Sequence, residues 1–370
     1  MITRQPDYNQ TFHCVGGDCP DTCCRDWEIV LDERAKEEYR AAPEPLRGQI
    51  AASLTTDEEG EVCFRLREDG FCALLTPEGL CPIQRDWGEA HLCDHCGAYP
   101  RFTEEYGCLT ETALAISCPE AARLLMEQRR FVLTEWDDGG GEPPFDGVDG
   151  ELLAGLEVTR ARALETLDRD DVPIWQRLAR VLALADDGQD CIDFGNYEAL
   201  ACCEAEPVEG ERAVSRRLLA ARLMTACGEL ECLRPRWPEL LERRSGELYA
   251  MKKGYGALCR RFEEACPHWE RHLANLACYL VFRHWHKTVN DDGLYGRAAL
   301  AGAACLLVYH LALLAWREKG TLSPGEEILL WSAFSREVEH MDENLTDLME
   351  MLFDPSEWPL LSAFCTGPED

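Results

Sequence analysis

The chain has 370 residues, of which 46% are hydrophobic and 29% are charged, a composition typical of globular proteins. Lysine and arginine total 37 against 69 acidic residues, so the formal net charge is −32. This charge argues against a nucleic-acid-binding protein and against docking on anionic membranes, because both functions need a basic surface. At roughly 150 residues per domain, the length favours two or three domains.

Cysteines are the unusual part of the composition, with 21 in the chain and eleven of them before residue 120. The first residues contain no apolar signal-peptide segment, so we expect a cytoplasmic protein whose thiols stay reduced. Dense cysteine in a reducing compartment favours metal or iron–sulfur ligation over disulfides. Burial as small hydrophobic side chains remains the alternative, chiefly for the cysteines of the second half.

The first third of the chain lacks a continuous hydrophobic pattern. Residues 27–32 predict a short strand, 31–39 a helix, and 71–84 a loop-rich segment with a turn at 77–79. Pro119 predicts a helix start, which places Cys118 at the N-cap, where the helix dipole favours a thiolate. We therefore predict an irregular, Cys-rich metal-binding domain over residues 1–136, in which bound metal supplies missing cross-links.

Residues 137–150 combine glycine, proline and acids, which predicts a linker, and the glycines 139–141 follow no strand, so they do not indicate a dinucleotide site. Apolar residues at helical spacing follow Pro173 and recur over 273–284 and 328–351. Residues 298–316 are long enough to span a membrane, but the segment is rich in alanine and contains a histidine, which favours a buried helix. The fold class is thus mainly α, with an all-α helical bundle over 151–370.

The cysteine spacing indicates a metal site in the first domain. Short gaps let two thiolates of one loop reach a common metal, and separated pairs can meet around it. The predicted ligands are Cys14, Cys19, Cys23, Cys24, Cys72, Cys81, Cys93, Cys96 and Cys118.

The spacing leaves the metal open, because thiolates suit both zinc and iron–sulfur clusters. Cys19 and Cys23 begin like a radical-SAM triplet, but its third position falls on Asp26, so this is not a standard loop of that kind. Nine thiols exceed the four of one cluster, which permits two centres or one centre with extra thiols. Cys63 and Cys108 lie apart from the short-gap pairs and are left out of the site.

Several motifs resemble those of the flagellin lysine-N-methylase family, and the resemblance covers most of the chain. The cysteine segment also resembles a smaller family described as zinc- or iron-chelating. The motifs that carry the first resemblance are Phe12-x-Cys14-x4-Cys19-x3-Cys23-Cys24-x2-Trp27-x-Ile29, Cys72-x2-Leu75, Gly79-Leu80-Cys81-x-Ile83-Gln84, Gly88-Glu89-x2-Leu92-Cys93-x2-Cys96-x2-Tyr99-Pro100-Arg101, Ser117-Cys118-Pro119-Glu120-Ala121-Ala122-Arg123, Asn275-Leu276-x3-Leu280-x-Phe282-Arg283 and Ser335-Arg336-x-Val338-Glu339-His340.

This resemblance implies a methyltransferase that moves methyl groups from S-adenosylmethionine to lysine ε-amines of flagellin or a flagellin-like protein, and that requires a [4Fe–4S] cluster. No residue is assigned to S-adenosylmethionine, and no membrane span or nucleic acid is expected. The alternatives are a zinc-stapled helical interaction protein without catalysis and an iron–sulfur electron-transfer or maturation factor.

Three side chains are weak catalytic candidates. A lysine amine must lose its proton before it attacks a methyl group, so a base or a desolvating wall is needed. Tyr99 and His340, the latter beside Glu339, are such helpers, and Arg101, like Arg123, could neutralise cluster charge or bind a carboxylate. Surface salt bridges for the arginines and a helix-surface or core-edge position for His340 are the alternatives.

Overall fold

The computed structural model describes residues 1–137, 139, 147–208 and 213–365. Helices predominate, as predicted from the apolar spacing. Their bounds are α1 Glu33–Ala41, α2 Leu46–Ser53, α3 Asp94–Ala98, α4 Pro119–Met126, α5 Gly150–Leu167, α6 Ile174–Asp193, α7 Tyr197–Leu200, α8 Arg216–Glu229, α9 Arg236–Ala250, α10 Tyr255–Ala265, α11 Trp269–His284, α12 Leu294–Lys319, α13 Pro324–Phe334, α14 Asp342–Leu352 and α15 Leu360–Phe364.

Helix α12 is the centre of the helical part, with α6, α8, α11, α13 and α14 packed around it. It contains the apolar run that the sequence analysis assigned to a buried helix, and that prediction is confirmed. By length and composition it is the one helix in the described ranges that could cross a membrane, yet 94% of its most apolar window is buried inside the protein. The helix ends where Gly320 adopts a φ of 76°, a conformation that glycine reaches without steric strain.

Two small sheets lie in the first 137 residues. The strands are β1 Ile2–Pro6, β2 Ile29–Val30, β3 Leu54–Thr56, β4 Val62–Phe64, β5 Arg101–Tyr106, β6 Leu109–Leu114 and β7 Leu133–Asp137. One sheet has the order β5-β6-β1-β7, in which β1 runs parallel to β6 and the other pairs are antiparallel; the second is antiparallel with the order β2-β4-β3. The short strand predicted at 27–32 is β2, whereas the four-stranded sheet was not predicted.

The apolar side chains form two separate clusters. The larger cluster joins the helical part to Tyr8, Phe12 and the residues around α4, so β6 and the segment after β1 share a core with the bundle. The smaller cluster runs from Leu31 to Cys93 and lies under the loops that carry most of the cysteines. The predicted division at 137–150 stays a prediction, because most of that segment lies outside the described residues.

The amphipathic pattern over 328–351 predicted a continuous helix, and this prediction is wrong. A π-helical turn over Ser335–Glu339 separates α13 from α14. Arg336 in this turn and His340 directly after it contact Asp21 and Trp27 in the first third of the chain, whereas Glu339 accepts a hydrogen bond from Ser335 within the turn. Such wider turns inside helices occur frequently at functional sites.

Candidate metal centre and the cavity beside it

A cavity of about 490 Å³ lies between the cysteine loops, the start of β5, the start of α4 and the π-helical turn. Sulfur atoms from separated loops meet at its wall. Eight of the nine predicted ligands line it, namely Cys14, Cys19, Cys23, Cys24, Cys72, Cys81, Cys96 and Cys118. The ninth, Cys93, is fully buried behind the wall and shares a thiol hydrogen bond with Cys96. Cys63 and Cys108, which were left out of the site, do not line the cavity.

We call four of these cysteines the first thiol set: Cys14, Cys19, Cys23 and Cys118. Their loop begins with a tight turn in which the backbone N–H of Gly16 donates to Cys14 Sγ at 3.4 Å. Cys14 and Cys19 are the strongest charge partners of Cys118 among the cysteines, and Cys118 and Cys14 both act on Cys23. The four sulfur atoms therefore lie within electrostatic range of one another.

Cys118 occupies the N-cap of α4, as predicted from Pro119. Burial raises the pKa of its thiol to about 11, while the backbone N–H groups of Ala121 and Glu120, which point at the sulfur, act in the opposite direction. Burial outweighs these amide groups, so the thiolate expected at this N-cap is not favoured by the protein alone, and the amide groups would stabilise the negative sulfur only when a cation is bound.

The remaining five cysteines form the second thiol set: Cys24, Cys72, Cys81, Cys93 and Cys96. Cys24 and Cys81 are charge partners of Cys72, and Cys24 and Cys93 are charge partners of Cys81. Backbone N–H groups point at sulfur here as well, from Leu74 and Leu75 toward Cys72. Hydrogen bonds of this kind to thiolates are a usual feature of iron–sulfur sites.

The two sets meet at the adjacent residues Cys23 and Cys24. The Cys23 thiol donates a hydrogen bond to Cys24, which raises the pKa of Cys23 and lowers that of Cys24. Both of them contribute to raising the pKa of Cys96. Since every thiol here requires deprotonation to bind metal, this contact keeps one sulfur of the pair in the ligand form.

An arginine of the π-helical turn holds the two chain segments of the first thiol set. Arg336 is 1% exposed; it pairs with Asp21 and donates from Nη2 to the Ser117 carbonyl at 2.9 Å. Arg234 reaches the same region, with Nη1 2.7 Å from Asp21 Oδ2 and Nε 2.6 Å from Asp26 Oδ2. The helical part thus fixes the loop that follows Cys19.

A close backbone approach joins the loop of the first thiol set to that of Cys81. A Cβ atom on Gly17 would lie 2.6 Å from the carbonyl oxygen of Glu78, and the Cβ position of Gly79 is 3.5 Å from the Gly17 Cα. Gly79 belongs to the turn predicted at 77–79 and has a φ of 74°. A side chain at Gly17 would collide with this carbonyl, and the positive φ of Gly79 favours glycine there.

His340 forms part of the cavity wall and is surrounded by aromatic rings. The ring centroids of Trp27, Phe102 and Tyr99 lie 4.6, 5.2 and 6.0 Å from that of the imidazole. Its Nδ1 is enclosed and has no hydrogen-bond partner. Burial lowers the pKa of His340, and Arg283 adds to this effect, so the imidazole is neutral near pH 7.

Of the other side chains proposed for the site, Tyr99 and Arg101 lie at the cavity and Arg123 does not. Tyr99 lines the cavity and shares a 3.1 Å hydrogen bond with Ser117, and burial raises its pKa well above the usual value, so it stays a neutral phenol. Arg101 also lines the cavity, with its guanidinium 5.2 Å from the centre of the Phe12 ring. Arg123 pairs instead with Glu120 and Glu127 on the surface of α4, the alternative considered for it.

Glu339 is buried behind His340 and does not line the cavity. It accepts hydrogen bonds from Tyr279 at 2.8 Å and Ser335 at 2.6 Å, and lies 3.1 Å from Nε2 of His284. Burial opposes its ionisation, but Arg283 and His284 outweigh burial and lower the pKa of Glu339 to about 2. It is therefore a fixed carboxylate that braces the turn.

The sequence analysis missed Phe102, Asp21 and the role of Arg336. Phe102 lies on strand β5, which was not predicted, and no motif in the sequence marks this residue as part of a site. Arg336 lies inside one of the resembling motifs, and its full burial next to a distant carboxylate is visible only in the folded chain.

Comparisons with known proteins agree with the earlier resemblance. Residues 160–364, more than half of the chain, match the family model described as the FliB lysine N-methylase C-terminal domain. The chain is 28% identical over 142 residues to a Salmonella typhimurium protein named lysine-N-methylase, a match covering 36% of this chain and 35% of that protein. It is equally similar to the flagellar biosynthetic protein FliU of Salmonella muenchen, of which 83% is covered. The chain thus spans about a third of the curated lysine-N-methylase, and no solved structure matches.

Proposed function

This chain belongs to the FliB lysine N-methylase family, and from that premise we propose that it transfers methyl groups from S-adenosylmethionine to lysine ε-amines of a protein substrate. The match to the family model over 160–364 is the observation that carries the proposal. The relatives named lysine-N-methylase and FliU point to flagellin or a flagellin-like protein as the substrate. We place the protein in the cytoplasm, because the proposed ligands must stay reduced thiols.

We propose a [4Fe–4S] cluster as the resident metal group, with zinc as the alternative. The donor set supports it, since eight soft thiols line one cavity, a ninth lies behind its wall, and several receive backbone N–H groups. A bound cluster would supply a redox-active centre and cross-links for the loops between Phe12 and Tyr99. The chain contributes the thiolates and the surrounding protein that shields them.

The cavity has the size of a site for a small molecule, since such sites usually enclose about 300–1,000 Å³. Arg101 is exposed at its wall and is stacked on Phe12, and no ion pair engages it within the described ranges. In our proposal this guanidinium binds the carboxylate of the methyl donor.

The chemistry is a displacement at carbon. The lone pair of a neutral lysine amine forms a bond to the methyl carbon, the carbon–sulfur bond breaks with its electron pair left on sulfur, and the amine then loses a proton. His340 is the proposed acceptor of that proton. Its imidazole is neutral, and because Nδ1 is enclosed, the proton would be taken at Nε2.

The aromatic side chains around His340 give the amine an apolar approach. Trp27, Tyr99 and Phe102 line the cavity and surround the imidazole, so they exclude water from it. Desolvation lowers the pKa of an entering lysine and therefore raises the fraction of the neutral nucleophile. The rings and the base act together on the same amine.

The test is a methylation assay with protein purified without oxygen. Methyl-labelled S-adenosylmethionine and flagellin are incubated with the enzyme, and modified lysines are located by mass spectrometry. We expect label on lysine only when the metal is present. Absence of label with an intact iron–sulfur cluster would favour an electron-transfer or maturation factor, and colourless protein with stoichiometric zinc would favour the interaction protein.

A further inference from the structure

Two cysteines outside the thiol sets have their sulfur atoms in contact. Cys191 lies near the end of α6 and Cys203 follows α7, and their Sγ atoms are 3.8 Å apart. A disulfide bond is about 2.05 Å long, so the two sulfur atoms would have to approach by roughly 1.8 Å to form one. The two thiols are therefore close enough to react with each other after a small movement of their side chains.

The end of α6 reverses the chain and brings Cys203 back to Cys191. Gly195 adopts a φ of 65°, which glycine reaches without steric strain, and its N–H donates to the Ile192 carbonyl at 2.8 Å. The N–H of Asn196 donates to the Cys191 carbonyl, also at 2.8 Å. These two hydrogen bonds form the Schellman motif, which closes the helix at this point and lets α7 fold back on it.

Two contacts with α5 hold the segment of Cys203 in place. Arg162 of α5 donates from Nη1 to the Cys203 carbonyl at 2.6 Å. Leu200 packs directly on the same helix, where a Cβ atom on Gly155 would lie 2.7 Å from the Leu200 Cβ. Because the backbone before and at Cys203 is fixed in this way, its sulfur stays beside that of Cys191.

The two thiols differ in their access to solvent. Cys203 is 8% exposed, and burial, together with the contact to Cys191, raises the pKa of its thiol to about 12. Cys191 is only partly buried. A small oxidant in solution therefore reaches Cys191 first, and the neighbouring Cys203 sulfur is in position to attack the product.

We propose that Cys191 and Cys203 form a reversible disulfide when a low-molecular-weight disulfide, such as oxidised glutathione, accumulates. Disulfides of proteins in a reducing compartment are usually transient and catalytic or redox-sensing. The bond joins the end of α6 to the segment after α7, and it uses none of the thiols proposed as metal ligands.

The thiol–disulfide exchange takes place in two steps. The Cys191 thiolate attacks one sulfur of the small disulfide, whose sulfur–sulfur bond breaks and releases a thiolate that takes up the proton lost by Cys191. The Cys203 sulfur then attacks that of Cys191, expels the second small thiolate and gives up its proton to it. The two protein thiols thus lose two electrons and two protons, and the small disulfide becomes two thiols.

The test maps the thiols of the full chain after equilibration, without oxygen, in glutathione buffers with an increasing oxidised fraction. Free thiols are blocked by alkylation, and a glutamate-specific protease cuts after Glu198, which separates Cys191 from Cys203. We expect mass spectrometry to find these two peptides linked, with the loss of two hydrogen atoms. The linked fraction should rise with the oxidised fraction of the buffer, and dithiothreitol should separate the peptides again.

Cys202 provides the matched control, because it is exposed and directly precedes Cys203. Cys202→Ser should keep the linked peptides, whereas Cys203→Ser and Cys191→Ser should each lose them. The Cys191 variant changes a partly exposed side chain, so it tests the bond without altering the buried position. A link from Cys191 to Cys202, or no link in the most oxidising buffer, would overturn the proposed pair.

Discussion

Arg336 forms an ion pair with Asp21, a residue 315 positions earlier in the chain. The arginine belongs to the turn between α13 and α14, and the carboxylate follows Cys19 by two residues. Burial opposes ionisation of Asp21, but Arg234 and Arg336 together lower its pKa, so the pair is charged at neutral pH. This contact connects the loop of the first thiol set to a turn near the end of the helical part.

Replacement of the arginine should loosen the first thiol set. We expect Arg336→Met to lower the free energy of unfolding by about 2 kcal/mol, because it leaves a partly buried carboxylate without one of its two arginine partners. Metal content should fall in the same variant. Chemical denaturation and iron analysis measure the two effects. The matched control is Arg169→Met, whose fully exposed pair with Asp171 should leave the free energy of unfolding nearly unchanged.

The proposed base is tested by His340→Gln, which keeps a polar side chain of similar length. If the imidazole accepts the proton of the amine, kcat should fall about 100-fold with iron content and melting temperature unchanged. Single-turnover methylation of flagellin provides the measurement. The exposed His268 gives a matched control, and a His340→Gln enzyme with normal kcat would remove His340 from the mechanism.

Metal and stability should be lost together when a core thiol of the second thiol set is removed. Cys93 is fully buried in the smaller apolar cluster and is the neighbour of Cys96, so Cys93→Ala is expected to reduce iron content and to lower the melting temperature. Cys63→Ala removes an equally buried thiol outside the cavity. Full iron in Cys93→Ala would exclude Cys93 as a ligand.

Acidification should destabilise the folded protein through Glu339 and His284. Burial lowers the pKa of His284 to about 4, below its unfolded value of about 6.5, so its contribution is present above pH 6.5 and is lost as pH falls through 4. The pKa of Glu339, about 2, is likewise below its unfolded value of about 4.3, so its contribution is lost between pH 4.3 and 2.

Urea denaturation between pH 7.5 and 4 gives the measurement for this pH dependence. The wild type should lose stability steadily below pH 6.5, and His284→Asn should flatten that part of the curve. Glu339→Gln should cost about 3 kcal/mol at pH 7, because it removes the charge that Arg283 and His284 surround. A wild-type curve that stays level from pH 6.5 to 4 would contradict the assignment for His284.

Local signals in the sequence predicted several parts of the structure. Pro119 and Cys118 specified the start of α4 because a proline at the first helical position and a cap before it depend only on neighbouring residues. The buried α12 followed from its long, alanine-rich apolar run. The convergence of the cysteine loops at one cavity was expected from their spacing. The spacing does not identify the metal, because thiolates suit both zinc and iron–sulfur clusters.

The parts that were missed depend on distant contacts. β1 pairs with β6, more than 100 residues later, and a single five-residue segment at the N-terminus gives little sign of such a partner. The turn at 335–339 contains neither proline nor glycine, so its sequence reads as a helix. Arg336 and Glu339 find their partners only in the folded chain, and those partners favour the wider turn over a regular one.

The absence of a side chain at Gly17 allows two cysteine-bearing segments to lie close together. An alanine there would push its side chain into the carbonyl of Glu78 and drive the segments of Cys19 and Cys81 apart. The close approach of these two cysteine-bearing segments therefore depends on the absence of a side chain at Gly17. In any related chain, a residue other than glycine at the equivalent position would mean that these segments follow a different course.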